Sequence, residues 1–239
     1  MPDMMPENTQ GVPARITAVH KERYALVCEY GDTYGRLKTK EYFGRFEEFP
    51  TTGDFVLINY NPSGDSQIIR TLPRRTFFSR KDPTPGRGEQ AVASNFDYVF
   101  IMQSLNQDFN AKRLERYLTL AWQSGAIPVV VLTKADLVDE YGSYIRIVES
   151  LAAGVSVYAV SSKTGAGLDT LAAYMAPGKT IVFLGSSGVG KSSLVNALAG
   201  KEIMAANGIR EDDSKGRHTT THRQLIMLKN EAMIIDTPG

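Results

Sequence analysis

The sequence predicts an α/β protein in which a small β-barrel precedes a mostly parallel, doubly wound sheet. Three observations lead to this prediction. Short β-type segments separated by turns fill the chain before residue 80, strand and helix patterns alternate from residue 96 onward, and a glycine-rich turn at 185–192 joins a strand to a helix. Repeated βα units favour a parallel sheet that binds ligands at the carboxyl ends of its strands.

The first part of the chain contains five short segments rich in β-branched and aromatic residues. They are Arg15–Val19, Tyr24–Tyr30, Tyr34–Lys38, Asp54–Tyr60 and Gln67–Leu72. Turn-forming residues separate them, as at Gly31-Asp32 and Asn61-Pro62-Ser63-Gly64. Five strands within roughly 65 residues predict an OB-fold barrel, with an SH3-like barrel as the alternative.

A basic tract rich in proline and glycine follows these segments. Between Arg70 and Arg87 the chain has six basic residues and one acidic residue. OB-folds present a groove that accepts nucleic acid, so we expect Arg74, Arg75 and Arg80 to contact RNA phosphates; the alternative is a solvated basic linker. The predicted division of the chain is a flexible tail over 1–11, the RNA-binding barrel over 12–80, a linker over 81–95 and an α/β domain over 96–239.

The α/β domain shows alternating strand and helix patterns. Apolar segments predict strands at Asp97–Gln103, Ala126–Leu132, Val155–Val160, Thr180–Leu184, Arg223–Leu228 and Ala232–Ile235. Amphipathic periodicity predicts helices at Ala111–Trp122, Ser143–Ala152, Leu168–Met175 and Lys191–Ala199. Asn110 is suited to cap the first of these helices, and Gly125 to end it.

The composition excludes several classes of protein. Hydrophobic residues make up 42% of the 239 positions, which is enough for a folded core. The net charge of +1 excludes a strongly basic nucleic-acid coat, and a single cysteine, Cys28, excludes a disulfide or a cysteine-based metal site within this chain. The N-terminus lacks the apolar core of a secretory signal, and the most apolar run, Ala126–Leu132, is too short to span a membrane. We therefore expect a soluble, cytoplasmic protein.

The glycine-rich turn matches the phosphate-loop pattern GxxxxGK[ST] at every fixed position. Its glycines let backbone N–H groups converge on a phosphate, and the following helix N-terminus adds partial positive charge. Lys191 is suited to neutralise phosphate oxygens, and the hydroxyl of Ser192 to bind Mg²⁺. The residues expected to contact the nucleotide here are Gly185, Ser186, Ser187, Gly188, Val189, Gly190, Lys191, Ser192 and Ser193.

Asp236-Thr237-Pro238-Gly239 follows the last apolar stretch and has the DxxG pattern of nucleotide switches. After a phosphate loop, this pattern predicts that Asp236 supplies a second ligand of Mg²⁺ and that the N–H of Gly239 bonds the γ-phosphate.

Two further loops are similar to the guanine-reading motifs of GTPases, NKxD and SAK. They are Thr133-Lys134-Ala135-Asp136 and Ser161-Ser162-Lys163, and each follows an apolar strand. The carboxylate of Asp136 can accept hydrogen bonds from guanine N1–H and the 2-amino group, which adenine does not offer. The stem of Lys134 can cover the base, and a backbone N–H near Ser162 or Lys163 can bond guanine O6.

A long polar segment, Glu202–Thr221, is typical of a loop that orders around the γ-phosphate. Its run Thr219-Thr220-Thr221 can supply the hydroxyl that completes the coordination of Mg²⁺ in the GTP state, and Thr220 best resembles the corresponding threonine of a GTPase family motif. His218 has a ring that can hold or deprotonate a water near neutral pH, which makes it the candidate catalytic residue. The alternative for His218 is an exposed loop histidine.

The order of these motifs is unusual, because the base-reading motifs precede the phosphate motifs. This circular permutation, the Pro50-Thr51-Thr52-Gly53-Asp54 turn and the Gly216-Arg217-His218-Thr219-Thr220-Thr221 segment together resemble the ribosome small-subunit-dependent GTPase A family, also called RsgA or YjeQ. The resemblance covers residues from about 12 to 239, and it implies an OB-fold followed by a circularly permuted P-loop GTPase domain.

The family resemblance also implies a function. It predicts a GTPase that acts in late maturation of the small (30S) ribosomal subunit, is stimulated by that subunit, and uses GTP/GDP and Mg²⁺. The implied partners are 16S rRNA and ribosomal proteins, and we expect a monomer without membrane contact.

The sequence departs from the family pattern in two places. Thr133 stands where the family motif has asparagine, which predicts a weaker or different tether between the base motif and the phosphate loop. The chain ends at Gly239, directly after DxxG, so we expect a truncated GTPase domain and place zinc only in a C-terminal domain that lies beyond it.

Two other functions are compatible with parts of the sequence. One is a P-loop ATPase or small-molecule kinase, against which Asp136 and Lys134 argue. The other is an RNA-binding module whose nucleotide site is only structural. Competition between GDP and ADP tests the first, and single-turnover GTP hydrolysis tests the second.

Overall fold

The computed structural model describes residues 10–21, 23–44, 48–81, 89–106, 108–204 and 223–236. These residues form two compact units. The first unit contains the described residues up to 96 together with 223–226 and 234–236, and the second contains the described residues from 97 to 204 together with 227–233. His218, Thr220 and Gly239, which carry sequence predictions, lie outside the described residues.

The first unit is built around a closed five-stranded barrel. Its elements are β1 (Val12–Val19), β2 (Tyr24–Cys28), β3 (Gly31–Leu37), the short helix α1 (Thr39–Tyr42), β4 (Phe55–Asn59) and β5 (Ser66–Thr71). The strand order is β1-β2-β3-β5-β4, and β4 pairs back onto β1 to close the barrel. Only the β3–β5 pair is parallel among these pairings. This order confirms the OB-fold that the sequence predicts.

Small and branched apolar residues fill the barrel, because alternate side chains of each strand point inward. The core residues without exposed surface are Ala14, Ile16, Val56, Ile58 and Ile68.

A buried carboxylate organises the turn that leads into β4. The side chain of Asp54 is fully buried and forms an ion pair with Arg74, whose Nη2 lies 2.8 Å from Asp54 Oδ2. Arg74 also donates to the carbonyl of Phe49 at 2.8 Å. Asp54 accepts two further hydrogen bonds, from the hydroxyl of Ser94 at 2.6 Å and from the N–H of Thr51 at 2.8 Å. Because a buried charge is costly unless it is paired, these contacts hold the turn in one conformation.

The same turn needs a glycine at position 53. Gly53 has φ +96°, and a Cβ there would lie 2.1 Å from the carbonyl oxygen of Ser94. Arg15 donates to the carbonyls of Gly53 at 3.3 Å and Asn95 at 2.9 Å, which ties β1 to both segments. The turn is therefore in direct backbone contact with residues 94–95.

Two strands overlap the linker expected over 81–95, at residue 81 and at residues 89–94. The strands β6 (Phe77–Lys81) and β7 (Glu89–Ser94) pair as an antiparallel two-stranded sheet, with Phe77 opposite Ser94 and Lys81 opposite Glu89. The proline and glycine residues that suggested a linker fall in 82–88, outside the described residues. Proline and glycine occur both next to strands and in linkers, so composition alone does not separate the two.

The side chain of Arg74, which the sequence predicts to contact RNA, is engaged within the protein. Its side chain is only 15% exposed, and its guanidinium is engaged by Asp54 and Phe49 within the first unit. Arg75 is exposed, and Arg80 lies in β6. Of the three arginines predicted to contact RNA, Arg75 and Arg80 therefore remain the candidates.

The second unit contains the parallel sheet. Its elements are β8 (Tyr98–Ser104), α2 (Ala111–Gln123), β9 (Ile127–Thr133), α3 (Gly142–Leu151), β10 (Ser156–Ala159), β11 (Thr180–Leu184) and α4 (Lys191–Ala199). The strand order is β10-β9-β8-β11, and all three pairings are parallel. Residues 99–102 and 129–132 are fully buried or nearly so, as expected of parallel strands covered on both faces.

The helices of this unit follow the predicted positions with one exception. Asn110 caps α2, because its side chain accepts a hydrogen bond from the N–H of Arg113 at 2.9 Å. The predicted α-helix at Leu168–Met175 is a 3₁₀ helix over Leu168–Tyr174 that begins after Gly167. None of the helices in the described part of the chain is long and apolar enough to cross a membrane.

Two late strands complete the described elements. They are β12 (Gln224–Met227) and β13 (Met233–Asp236), close to the predicted segments. In the first unit β12 pairs with β1, where Ala18 lies opposite Gln224. The hydroxyl of Thr52 donates to the carbonyl of Arg223 at 3.2 Å. Residues 223–226 thus belong to the barrel unit although they are distant from it in sequence. The predicted division of the chain had assigned them to the α/β domain.

Replacing Arg74 by methionine is expected to lower the free energy of unfolding by about 3 kcal/mol, because Asp54 is left as an unpaired buried charge. Chemical denaturation measures this loss. Arg70→Met, which removes an exposed arginine, is the control and should change stability by less than about 0.5 kcal/mol. The double variant Arg74→Met/Asp54→Asn should recover part of the loss; equal stability of Arg74→Met and the unsubstituted protein would contradict the role of the pair.

Candidate nucleotide-binding site

The phosphate-loop sequence forms a tight turn between β11 and α4. Gly190 has φ +99° and immediately precedes α4, which begins at Lys191. A Cβ on Gly185 would lie 2.9 Å from Cγ1 of Val189 and 3.1 Å from Cβ of Met102, so only glycine fits at this position without displacement. The loop thus leaves a concave backbone at a helix N-terminus, which is the arrangement that binds phosphate.

Within this turn the side chains differ in exposure. Ser187 and Gly188 are exposed, Lys191 and Ser192 are half-buried at the first turn of α4, and Ser193 is exposed. The N–H of Val189 donates to the carbonyl of Ser186 at 3.2 Å, which closes the loop on itself.

Thr133 ties the end of β9 to the phosphate loop. Its hydroxyl lies 2.6 Å from the carbonyl oxygen of Val189 and 3.3 Å from that of Gln103. The shorter distance identifies the Val189 carbonyl as the main acceptor, since a hydroxyl has one proton to donate. The sequence predicted a weaker or different tether with threonine at this position. The structure shows a direct one.

Lys134 makes a second contact with the same loop. It adopts a left-handed backbone conformation with φ 59°, which is uncommon for a residue other than glycine. Its ammonium donates to the carbonyl of Gly188 at 2.9 Å. The 3₁₀ turn Ala135–Leu137 follows, and the N–H of Ala135 donates to the carbonyl of Val160 at 3.1 Å. Base-motif and phosphate-loop residues are therefore joined by two hydrogen bonds.

Asp136 and Ser161 bring the two base motifs together. The fully buried hydroxyl of Ser161 donates to Oδ1 of the exposed Asp136 at 2.6 Å, and it accepts from the N–H of Thr164 at 3.2 Å. The hydrogen bond from Ser161 lowers the pKa of the Asp136 carboxyl, and the positive charge of Lys163 acts in the same direction. Asp136 therefore stays an ionised acceptor over a wider acidic range than a free carboxyl. Ser162 is half-buried and Lys163 exposed in the same loop.

These contacts assemble the predicted site residues of the second unit at one edge of its sheet. The loops after β9, β10 and β11 all leave from carboxyl ends of parallel strands, which is where such sheets bind ligands. Asp236 ends β13, as predicted, but its relation to the phosphate loop stays a prediction, as do the roles of Thr220, Gly239 and His218. The described residues contain no group of three or more His, Cys, Asp or Glu side chains placed to hold a metal ion.

Sequence patterns missed one residue at this edge. Asp108, in the loop after β8, accepts a hydrogen bond from the hydroxyl of Ser186 at 3.1 Å. The available signal was its place in a polar loop directly after an apolar parallel strand, because such loops meet at the ligand-binding edge of the sheet.

Comparison with known proteins identifies the family. The family model described as RsgA GTPase matches residues 71–239. The chain belongs to the RsgA GTPase family.

Individual RsgA relatives are similar over nearly the whole chain. A small ribosomal subunit biogenesis GTPase RsgA 1 from Listeria monocytogenes is 48% identical over 94% of this chain and 64% of its own length. An RsgA 2 from Lactiplantibacillus plantarum is 44% identical over 99% of this chain and 67% of its own length. The chain thus spans about two thirds of the length of these relatives.

Solved structures share the fold. YjeQ from Thermotoga maritima superposes with a TM-score of 0.72 at 24% identity, covering 95% of this chain and 74% of that one. YloQ, described as a circularly permuted GTPase, gives a TM-score of 0.65 at 23% identity, covering 98% of this chain and 74% of that one. These likenesses confirm the OB-fold followed by a circularly permuted GTPase domain.

Replacing Ser161 by alanine is expected to raise the pKa of Asp136 towards its ordinary value, because the strongest hydrogen bond to the ionised carboxylate is lost. Titration of the Asp136 carboxyl by NMR measures this shift. Ser162→Ala alters the neighbouring hydroxyl and serves as the control. A pKa of Asp136 that is the same in Ser161→Ala and in the unsubstituted protein would contradict the assignment.

Proposed function

We propose that this chain binds GTP and GDP and hydrolyses GTP in late maturation of the small ribosomal subunit. The observation that carries the proposal is the joined site, in which an ionised Asp136 is held by Ser161 while Thr133 and Lys134 contact the phosphate loop. The names of the RsgA relatives, which include small ribosomal subunit biogenesis, support the cellular role and the small subunit as partner.

Guanine recognition follows from the chemistry of Asp136. Its two carboxylate oxygens accept hydrogen bonds from guanine N1–H and the 2-amino group, a pattern that adenine does not present. The side chain of Lys134 runs towards Gly188, so its aliphatic stem is available to cover one face of a base bound beside Asp136. A backbone N–H near Ser162 or Lys163 can donate a hydrogen bond to O6 of guanine.

The phosphate loop supplies charge and backbone donors for the di- or triphosphate. Lys191 would neutralise phosphate oxygens, and the N-terminus of α4 would add the partial charge of its backbone N–H groups. The hydroxyl of Ser192 and the carboxylate of Asp236 are hard oxygen donors, and these fit Mg²⁺, which prefers oxygen ligands. Thr220 is proposed as a further ligand, and Gly239 as a donor to the γ-phosphate.

His218 is proposed as the residue that positions the attacking water during hydrolysis. The proposal rests on its sequence position beside Thr220 and on the near-neutral pKa typical of a histidine side chain, which suits proton transfer from water. We further propose that the protein acts as a cytoplasmic monomer.

The barrel unit is proposed to contact 16S rRNA. An open groove with a volume of 650 Å³ is lined by Arg70, Thr71 and Phe77, among others. The side chain of Phe77 is 44% exposed and offers a ring on which a base can stack. Arg70 and Arg75 are exposed nearby in the chain and provide charges for phosphates.

Asp136→Asn is expected to reverse the preference for GDP over xanthosine diphosphate, because the asparagine amide pairs with the 2-oxo group of xanthine and poorly with the 2-amino group of guanine. Calorimetric titration with GDP, xanthosine diphosphate and ADP measures the preference. Lys191→Ala should lose measurable binding of every nucleotide. Equal GDP and ADP affinity in the unsubstituted chain would favour a P-loop ATPase or kinase, and retained GDP binding in Lys191→Ala would refute the site.

The double variant Arg75→Ser/Arg80→Ser should weaken binding to small ribosomal subunits and flatten the salt dependence of that binding, because fewer counterions are released. Binding is measured at several salt concentrations. Lys112→Ser/Arg146→Ser, which removes two exposed charges from the other unit, is a control for net charge. Unchanged affinity and unchanged salt slope in the arginine variant would show that the tract does not contact RNA.

A further inference from the structure

The phosphate loop has a partner that lies outside the motifs identified in the sequence. The hydroxyl of Ser186, the second residue of the loop, donates to Oδ2 of Asp108 at 3.1 Å. Asp108 lies in the connection between β8 and α2. Because β8 is the strand next to β11 and parallel to it, this connection and the phosphate loop leave the sheet side by side.

Asp108 is itself held in place from α2. The guanidinium of Arg113 lies 3.2 Å from Oδ2 of Asp108, and it also donates to the backbone carbonyl of Asp108. The N–H of Asp108 donates to the side chain of Asn106 at 3.0 Å. Arg113 belongs to the first turn of a capped helix and its side chain is only 19% exposed, so the carboxylate is attached to a rigid element.

The two halves of the phosphate loop are thus fixed from different strands. Thr133 and Lys134, at the end of β9, hold the second half through the carbonyls of Val189 and Gly188. Asp108 holds the first half, at Ser186. A loop that binds phosphate through backbone N–H groups needs both halves in register, because the donors must converge on one anion.

We propose that Asp108 is a positioning residue that holds the first half of the phosphate loop in its nucleotide-binding conformation. This inference rests on the proposed guanine-nucleotide site and adds a residue to its machinery. This role requires that the side chain at position 108 places an oxygen acceptor at a fixed position beside Ser186.

The negative charge of Asp108 does not explain its place at the loop. A carboxylate beside an anion site would repel phosphates, and the nearby Arg113 offsets that charge. If the charge dominated, removing it would strengthen nucleotide binding, and GTP would gain more than GDP. If positioning dominates, removing the acceptor weakens the binding of phosphates and an uncharged acceptor preserves it.

The test compares GDP with guanosine, which carries the same base without phosphates. In the full chain, Asp108→Ala and Ser186→Ala should each weaken GDP binding about tenfold, or roughly 1.4 kcal/mol, measured by calorimetry. Guanosine affinity, measured by NMR titration, should stay the same. The double variant should bind GDP no more weakly than either single variant, because both remove one interaction.

Two further variants complete the design. Asp108→Asn keeps an oxygen acceptor and should retain GDP affinity within about twofold, which is under 0.5 kcal/mol. Glu115→Ala removes an exposed carboxylate from α2 and is the matched control, with unchanged GDP and guanosine affinities.

Several results would overturn the positioning role of Asp108. These are unchanged GDP affinity in Asp108→Ala, tighter GDP binding in that variant, equal losses for GDP and guanosine, or additive losses in the double variant. Each of these leaves the proposed function intact. A failure of the unsubstituted chain to bind GDP would instead refute the nucleotide site, and the role of Asp108 with it.

Discussion

The parallel pairing of β8 with both β9 and β11 is the constraint on which the candidate site depends. Parallel strands bring their carboxyl ends to one edge of the sheet. The strand pairing alone therefore places the loops that follow β8, β9 and β11 next to one another. The contacts of Thr133 with Val189 and of Ser186 with Asp108 connect loops that leave neighbouring or next-neighbouring strands. A shift in register at either pairing would separate the hydroxyls from their acceptors.

The barrel unit depends on a different kind of constraint, which is a buried charge. Asp54 has no exposed surface, and its ion pair and hydrogen bonds draw together segments that are far apart in the sequence. Taking a carboxylate out of water is unfavourable, so forming this cluster adds little net stability. Removing one partner is strongly destabilising, because it leaves a buried charge unpaired. The turn of Thr51–Asp54 is consequently fixed by polar contacts, whereas the interior of the barrel is fixed by apolar packing.

Side-chain periodicity and capping residues predicted most of the helices and strands, because both depend on residues that are close in sequence. The strands of the barrel and the α/β alternation follow from side-chain periodicity, and the cap of Asn110 on α2 was predictable from its residue type. Periodicity could not separate a 3₁₀ helix from an α-helix over the seven residues Leu168–Tyr174, where both place apolar residues on one side.

What the sequence could not supply are contacts between distant residues. The pairing of β6 with β7 was not predicted, because side-chain periodicity does not report which strands pair. Arg74 resembled an RNA contact until the structure placed Asp54, twenty positions earlier, against its guanidinium. Asp108 lies outside the motifs identified in the sequence, and the neighbouring positions of β8 and β11 bring it to Ser186. In each case the missing information is which segments become neighbours in space.

The order of the strands along the chain has a consequence for the synthesis and folding of the protein. β8, β9 and β10 follow one another closely in the chain, whereas β11 joins β8 through a contact such as that of Thr180 with Asp97, separated by 83 positions. A growing chain emerges from its N-terminus onward, so the residues proposed to read the base are synthesised before those proposed to hold phosphates. Closing the large loop between β8 and β11 is a non-local step of the kind that slows folding. During translation, the chain therefore passes through a stage in which the residues proposed for base recognition have been made and the phosphate loop has not.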